Sequence, residues 1–429
     1  MYPGIEKYLP MIKNNEIGFK KILLWLMSTL LIISSGMTLT SCGSDDPTDE
    51  MIPEEPKNHA RVYETIRYEK DKTTAYNFEY PSTDPYGKEV MLSGTITVGD
   101  EVTEKNPGRG LVLYSHYTIY RADECPSKGG LDLQKFVTGS GLITISPDYY
   151  GFGITEDKPQ AYCISKANAQ AAVDALLAAK QLLPTLGYQW DDNVLFNLGY
   201  SQGGQTALGI VRLIDEQYRD LHITYTFAGG GLYDIPMTYQ KMIESDDSDL
   251  PSSLISVLLA YNEFCHLNIP YSQLFQEPLV SHIDEWFYSK KYNSSWIDYK
   301  LGSTSFSQLV MPDLLNINSN IAQRFMEVLE KDNLCKGWLP RKENKFLLVH
   351  NTKDRTVPSE NTKNLYQFLF DQGVPKGNIS YNVSNMSIFS TQNPHEMGAV
   401  FFAFNVIPIL CEELNIKIWI DVNTILDLL

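Results

Sequence analysis

Residues 199–203 spell Gly199-Tyr200-Ser201-Gln202-Gly203, with Gly204 behind them, between an apolar run at 194–198 and a helix-like stretch at 205–214. A chain that must leave a strand, present one hydroxyl and enter a helix within a few residues has few ways to do so. The central serine is driven into an unfavourable backbone region, where side chains two residues to either side would collide. Glycines at 199 and 203 remove those side chains, which is the physical content of the G-x-S-x-G pattern. The spacing therefore predicts a strand, a sharp turn exposing the Ser201 hydroxyl, and a helix whose first free amide, on Gln202, faces a developing oxyanion. An ordinary strand-to-helix turn can carry the same five residues, so the surrounding pattern has to decide.

That pattern alternates strand and helix. At 92–98, Leu92, Gly94, Ile96 and Val98 alternate with Ser93, Thr95 and Thr97, which predicts a half-buried strand. Residues 111–116 and 142–145 are short apolar runs bounded by turn residues, as in strands covered on both faces of a parallel sheet. Alanines and leucines dominate 167–183, and Pro184 and Gly187 are expected to end that helix. Another strand at 223–227 leads to Gly229-Gly230-Gly231. Short connections between such elements predict an α/β class with a mostly parallel, doubly wound sheet. From 235 to 343 the rhythm breaks. Helical stretches such as 254–259 and 321–329 mix with Tyr261, Phe264, Tyr271, Phe275, Trp286 and Phe287, and no clear buried strand occurs. Strand patterns resume at 346–349 and 379–383. Residues 235–343 are thus expected to be a helical cap inserted between two parts of one core, 58–234 and 344–429, in preference to an independent helical domain. An apolar helix at 397–414 and an apolar end at 416–429 close the chain.

The N-terminus is an address. Lys13, Lys20 and Lys21 precede an apolar stretch at 22–33, short for the alternative of a membrane span, and then Leu39-Thr40-Ser41-Cys42. This ending resembles the lipobox of bacterial lipoproteins, which implies that 1–41 is a signal peptide and that Cys42 is lipidated. Residues 42–57, polar, acidic and interrupted by proline, form a tether that cannot fold alone. An acidic stretch after the cysteine resembles the surface-export signal of Bacteroidetes lipoproteins. Together these resemblances imply a cell-envelope protein anchored to the outer membrane and exposed at the surface. Removing 1–41, with four lysines and two glutamates, takes the formal charge from −17 to −19, which argues against a nucleic-acid partner. Beyond Cys42, five cysteines remain, with no C-x-x-C pair and no histidine at ligand spacing except in Cys265-His266. A zinc site is not expected, and at most two disulfides can form.

A serine hydroxyl needs a base to take its proton and a third group to hold that base in one tautomer. Of the seven histidines, His59 adjoins the tether, and His222, His266 and His282 lie beside a strand or in the insertion. His116 and His350 end core strands. His395 remains, in Asn393-Pro394-His395-Glu396, a polar loop after the last strand, and is the expected base. Asp354 is the expected acid, carried past a buried strand by the turn 350–358, although aspartate is also a common turn former. Asp332 and Asp371 sit on helix-like segments instead. The chain order Ser201, Asp354, His395 is that of α/β-hydrolases.

On these residues the chain resembles the α/β-hydrolase superfamily over nearly all its length after the tether. Three segments are similar to the secretory lipases of the Candida antarctica lipase A type: Ser146-Pro147-Asp148-Tyr149-Tyr150-Gly151-Phe152-Gly153, the elbow with its extra glycine, and Ala228-Gly229-Gly230-Gly231 before an inserted cap. The resemblance implies a serine esterase or lipase that cleaves a lipid or small-molecule carboxylic ester through an acyl-enzyme, without a cofactor. It also implies a second oxyanion amide just after the third core strand, in Tyr114-Ser115-His116-Tyr117-Thr118. The usual His-Gly is missing there, which leaves Tyr117, the first choice, or Thr118. Asp148 either braces this loop or satisfies local amides before Gly151. Peptidases and carbohydrate (acetyl or feruloyl) esterases use the same triad, though no propeller-like repeat of the prolyl-oligopeptidase kind precedes the core. A non-catalytic surface binding lipoprotein would lack a triad member, and all three are present.

Overall fold

The computed structural model describes residues 59–129, 140–386 and 393–416. The expected signal peptide 1–41, the expected lipidation site Cys42, the expected tether 42–57 and the apolar end beyond Ile416 lie outside the described residues. One compact unit runs from Asn58 to Val406, and residues 407–416 belong with the chain termini to a second.

Among the described residues nine strands make one sheet: β1 (Arg61–Tyr68), β2 (Thr73–Thr83), β3 (Glu89–Gly99), β4 (Leu111–Ser115), β5 (Ile143–Pro147), β6 (Leu195–Tyr200), β7 (Tyr225–Gly229), β8 (Phe346–Asn351) and β9 (Ile379–Ser384). Their order is β1-β2-β3-β5-β4-β6-β7-β8-β9. The first three strands run antiparallel and join β5 antiparallel, and every pairing from β5 to β9 is parallel. β3 departs from the half-buried expectation. Ser93, Thr95 and Thr97 are as buried as Leu92 and Ile96. The loop after β5 folds back over this strand: the Ser93 hydroxyl donates to Asp148 Oδ2 at 2.6 Å and accepts from the Ile154 amide at 3.0 Å. The polar alternation thus marks a buried face, and at Ser93 the cover is a hydrogen-bonded loop rather than water.

Helix α1 (Ser165–Thr185) carries Pro184 in its last turn rather than after it. Its alanines and leucines pack with Ile210, Leu213 and Ile214 of α2 (Gln202–Gln217) against the β2–β5 side of the sheet. Ala207, Leu208 and Val211, on the other flank of α2, meet Phe346 and Leu348 of β8. Each fully buried Leu, Ile, Val or Phe among them contributes about 2 kcal/mol by removal from water.

Between β7 and β8 the regular elements are α3 (Ile235–Ser245), α4 (Pro251–Phe264), α5 (Leu279–Ile283), α6 (Ser294–Leu301), α7 (Pro312–Leu315) and α8 (Asn320–Lys331), with short 3₁₀ and π turns. Asp234, Asn293 and Ser319 cap the N-termini of α3, α6 and α8 through their side chains. Their apolar faces share a cluster with Tyr120, Tyr162, Ile164 and Val357, which lie on loops of the sheet region. Most of that cluster comes from these helices themselves, and the loop residues join it to the sheet region. After β8 come α9 (Glu360–Asp371) and α10 (Pro394–Glu413). α10 starts three residues earlier than the apolar pattern indicated. Asn393 accepts from the His395 amide at 2.9 Å, and a proline in the first turn needs no N–H partner. The cysteines at 125, 163, 265, 335 and 411 are all free.

Candidate active site

Parallel strands present their C-terminal ends on one edge, where ligands bind in such sheets. Ser201 follows β6 at that edge, with φ 58° and ψ −122°, a costly conformation for a residue bearing a Cβ. The turn is held by the Ser201 amide donating to the Gly229 carbonyl at 2.9 Å. A Cβ on Gly199 would lie 2.1 Å from the Gly203 carbonyl oxygen, and one on Gly203 would lie 2.1 Å from that of Ser115. Both glycines are therefore required by close backbone approach.

Asp354 leaves the end of β8, and His395 sits in the first turn of α10. The structure brings both to Ser201. His395 Nε2 is 2.8 Å from Ser201 Oγ, and His395 Nδ1 is 2.6 Å from Asp354 Oδ2. Nδ1 faces a carboxylate and so carries the proton, which leaves Nε2 free to accept from the serine. The second carboxylate oxygen, Oδ1, accepts from the Thr356 and Val357 amides at 2.9 and 2.8 Å. Around the base, Tyr200 donates its hydroxyl to the His395 carbonyl at 2.7 Å, and Asn351 Nδ2 donates to the Pro394 carbonyl at 2.8 Å. Sequence reasoning passed over both residues, because each acts across a long stretch of chain with no local pattern to mark it.

All three side chains are buried. Burial alone would raise the Asp354 carboxyl, but the imidazoles of His395 and His350 outweigh it and hold the group well below the usual carboxylate range. For His395, burial would lower the imidazole, and the Asp354 carboxylate outweighs it, with Glu396 and Asp249 adding to the upward shift. The two directions describe one interaction: an ionised carboxylate that stabilises an imidazolium.

Ser201 opens on a cleft with about 430 Å³ of unfilled space, part of it facing solvent. Its wall is mostly apolar, with Leu232, Ile235, Met242, Leu254, Val257 and Val357 among the lining residues. The Gln202 amide, first in α2, has no partner within the helix and lies beside Ser201 at the positive end of the helix dipole. Of the two candidates for a second amide, Thr118 lines the cleft and bonds Tyr162 at 2.7 Å, whereas the Tyr117 side chain is 44% exposed. His116 is buried with Nδ1 2.6 Å from the Tyr117 carbonyl, which fixes that peptide. Asp148 accepts from Ser93 and from the Ser127 amide, so its carboxylate is satisfied locally.

Residues 135–400 match the model of the secretory lipase family. The chain belongs to that family. No curated protein matches its sequence. Among solved structures, the secretory lipase resembles a Legionella pneumophila protein described as a hydrolase, at 19% identity and TM-score 0.69 over 79% of this chain and 88% of the other. It resembles the rice cell wall degrading esterase LipA of Xanthomonas oryzae at 19% identity and TM-score 0.67, over 83% and 97% of the two chains. Candida antarctica lipase A in its closed state matches at 15% identity and TM-score 0.54, over 77% and 76%. The fold is that of the α/β-hydrolases, and the secretory lipase is a carboxylic ester hydrolase of the extracellular or envelope kind.

Proposed function

We propose that Ser201 is the nucleophile, His395 the general base and Asp354 the acid that orients and stabilises the imidazolium. Ser201 Oγ attacks the ester carbonyl carbon as its proton passes to His395 Nε2; the tetrahedral intermediate collapses, the protonated imidazole gives its proton to the departing alkoxide, and an acyl-serine remains. Water then attacks the acyl carbon by the same relay and frees the acid. The Gln202 amide and one amide of the Tyr117–Thr118 turn hold the oxyanion. Tyr117 was the first choice, and the place of Thr118 on the cleft wall favours Thr118. Loss of one such donor costs about 3 kcal/mol, or two orders of magnitude in rate. The observation that carries this reading is the unbroken relay from Ser201 through His395 to Asp354 at the strained turn.

Residues 235–343 serve as the cap over this cleft, between core parts 58–234 and 344–429. The chain acts at the outer membrane, surface-exposed and held by lipid on Cys42 after loss of 1–41, with 42–57 as its tether. A carbohydrate esterase is the second reading. It is favoured by a neighbouring cleft that shares Tyr162 and mixes Tyr120, Phe287 and Tyr288 with Gln160 and Glu263, side chains suited to a sugar-bearing alcohol. The degradation of rice cell walls by the structurally similar esterase points the same way.

Turnover of p-nitrophenyl esters from acetate to palmitate, with acetylated and feruloylated glycans in parallel, tests both readings. Ser201→Ala is expected to lose on the order of 10⁵-fold or more in kcat. A long-chain optimum supports the lipase, and release of acid from the glycans alone supports the second reading. Full activity in Ser201→Ala would remove the nucleophile assignment.

A further inference from the structure

Asp354 has a second imidazole beside it. His350, one residue before the end of β8, is fully buried. Its Nε2 lies 2.9 Å from the Val357 carbonyl oxygen and 3.3 Å from Asp354 Oδ2. Both partners can only accept, so Nε2 carries a proton. On the other side, Nδ1 lies 2.7 Å from the hydroxyl of Thr362, itself fully buried on α9. The ring therefore has one orientation. With the Thr356 and Val357 amides on Oδ1 and His395 on Oδ2, His350 is the fourth donor turned toward this carboxylate.

We propose that His350 is a positioning residue that, through an Nε2–H shared between the Val357 carbonyl and Asp354 Oδ2, fixes the Asp354 carboxylate and moderates its grip on His395. This rests on the triad reading above. A carboxylate oxygen with a single donor directs its charge at that donor and holds the imidazolium more tightly, so the base stays protonated to higher pH. A second donor on the same oxygen draws off part of that charge. The other groups facing His395 are Glu396, its neighbour in α10, and Asp249 from the α3–α4 connection, which with Asp247 pairs with Arg355; the Tyr200 hydroxyl binds the His395 carbonyl. The ring of His350 meets Thr362, Val357 and Asp354 instead, so replacing it leaves the number of these groups unchanged.

The test is kcat, KM and the acid limb of kcat/KM against pH on a short p-nitrophenyl ester, with the full chain, for His350→Phe, His350→Gln and Asp354→Asn. Gln carries an amide to the place of Nε2, and Phe keeps the ring without a donor. His350→Phe is expected to lose about 10–100-fold in kcat with KM within about twofold, and its acid limb moves to higher pH. His350→Gln restores the wild-type limb and most of kcat. His350→Asn, whose amide reaches Thr362 but not Asp354, behaves like His350→Phe and takes its place if that variant does not fold by near-UV circular dichroism. A merely structural role would lower the yield of folded enzyme without moving the limb. Folded donor-free variants with the wild-type limb would overturn the inference, as would equal losses in the Gln and donor-free variants. If Asp354→Asn keeps wild-type turnover, the triad reading itself fails; if Asp354→Asn is crippled while His350→Phe keeps the wild-type limb, only the inference fails.

Discussion

The parallel sheet and the helices between β7 and β8 are both built around buried apolar side chains, yet they are fixed in different ways. In the sheet region, backbone approach decides the structure: the first turn of α2 lies so close to the end of β6 and to the end of β4 that Gly199 and Gly203 leave no room for a methyl group. In the insertion, side chains decide it. Tyr120, Tyr162 and Val357 come from loops of the sheet region to complete the helical cluster, and a cleft is left beside Ser201. On the proposed reading the sheet region sets where the chemistry happens, and the insertion sets the space a substrate can occupy. Precision belongs to the first, and room for change to the second.

Three substitutions sharpen that contrast. Asp354→Asn should lower kcat by about 10⁴-fold, since the amide disfavours the working tautomer of His395. It should also move the acid limb of the rate profile. The base works unprotonated, so activity rises with pH through the His395 titration, which the Asp354 carboxylate holds above the ordinary histidine value. Without that carboxylate the downward push of burial is opposed only by the more weakly acting Glu396 and Asp249, and the limb shifts to lower pH. A pH profile of kcat/KM reads both effects. Gly203→Ala sets a Cβ 2.1 Å from a carbonyl oxygen and should destabilise the fold by about 3 kcal/mol, measured by urea unfolding. Met242→Trp, buried on the cleft wall with open space beside it, should cost about 1 kcal/mol, less than Gly203→Ala. It should cut kcat/KM for palmitate about tenfold while acetate stays within about twofold. If Met242→Trp proved as destabilising as Gly203→Ala, the contrast between a rigid sheet edge and an accommodating cleft would break.

Much of the sheet region was legible because its constraints are local. The Gly-x-Ser-x-Gly spacing, the short apolar strands and the position of Asp354 after one of them each follow from a few consecutive residues. His395 was found by elimination, although its place in the first turn of α10 was signalled by Asn393 and Pro394, a cap and an N-terminal proline. What stayed hidden depends on distant contact. Ser93, Thr95 and Thr97 alternate like a solvent face yet are all buried, Ser93 beneath a returning loop. His350 looks like the end of a core strand until Thr362 and Asp354 are seen on either side of its ring. In the insertion the helices could be recognised from their apolar residues. The cleft could not, since its walls come from Thr118, Leu232, Leu254 and Val357, which share no period in sequence.

The most direct test of the central claim is covalent. The full chain is treated with a fluorophosphonate, digested and sequenced by mass spectrometry, with Ser201→Ala and His395→Ala alongside. Loss of fluoride with one new phosphorus–oxygen bond on Ser201 in the wild type is the expected result, with that adduct absent in Ser201→Ala and greatly slowed in His395→Ala. Ester turnover in a wild type that labels at another residue, or an adduct that forms at the same rate without His395, would contradict the account.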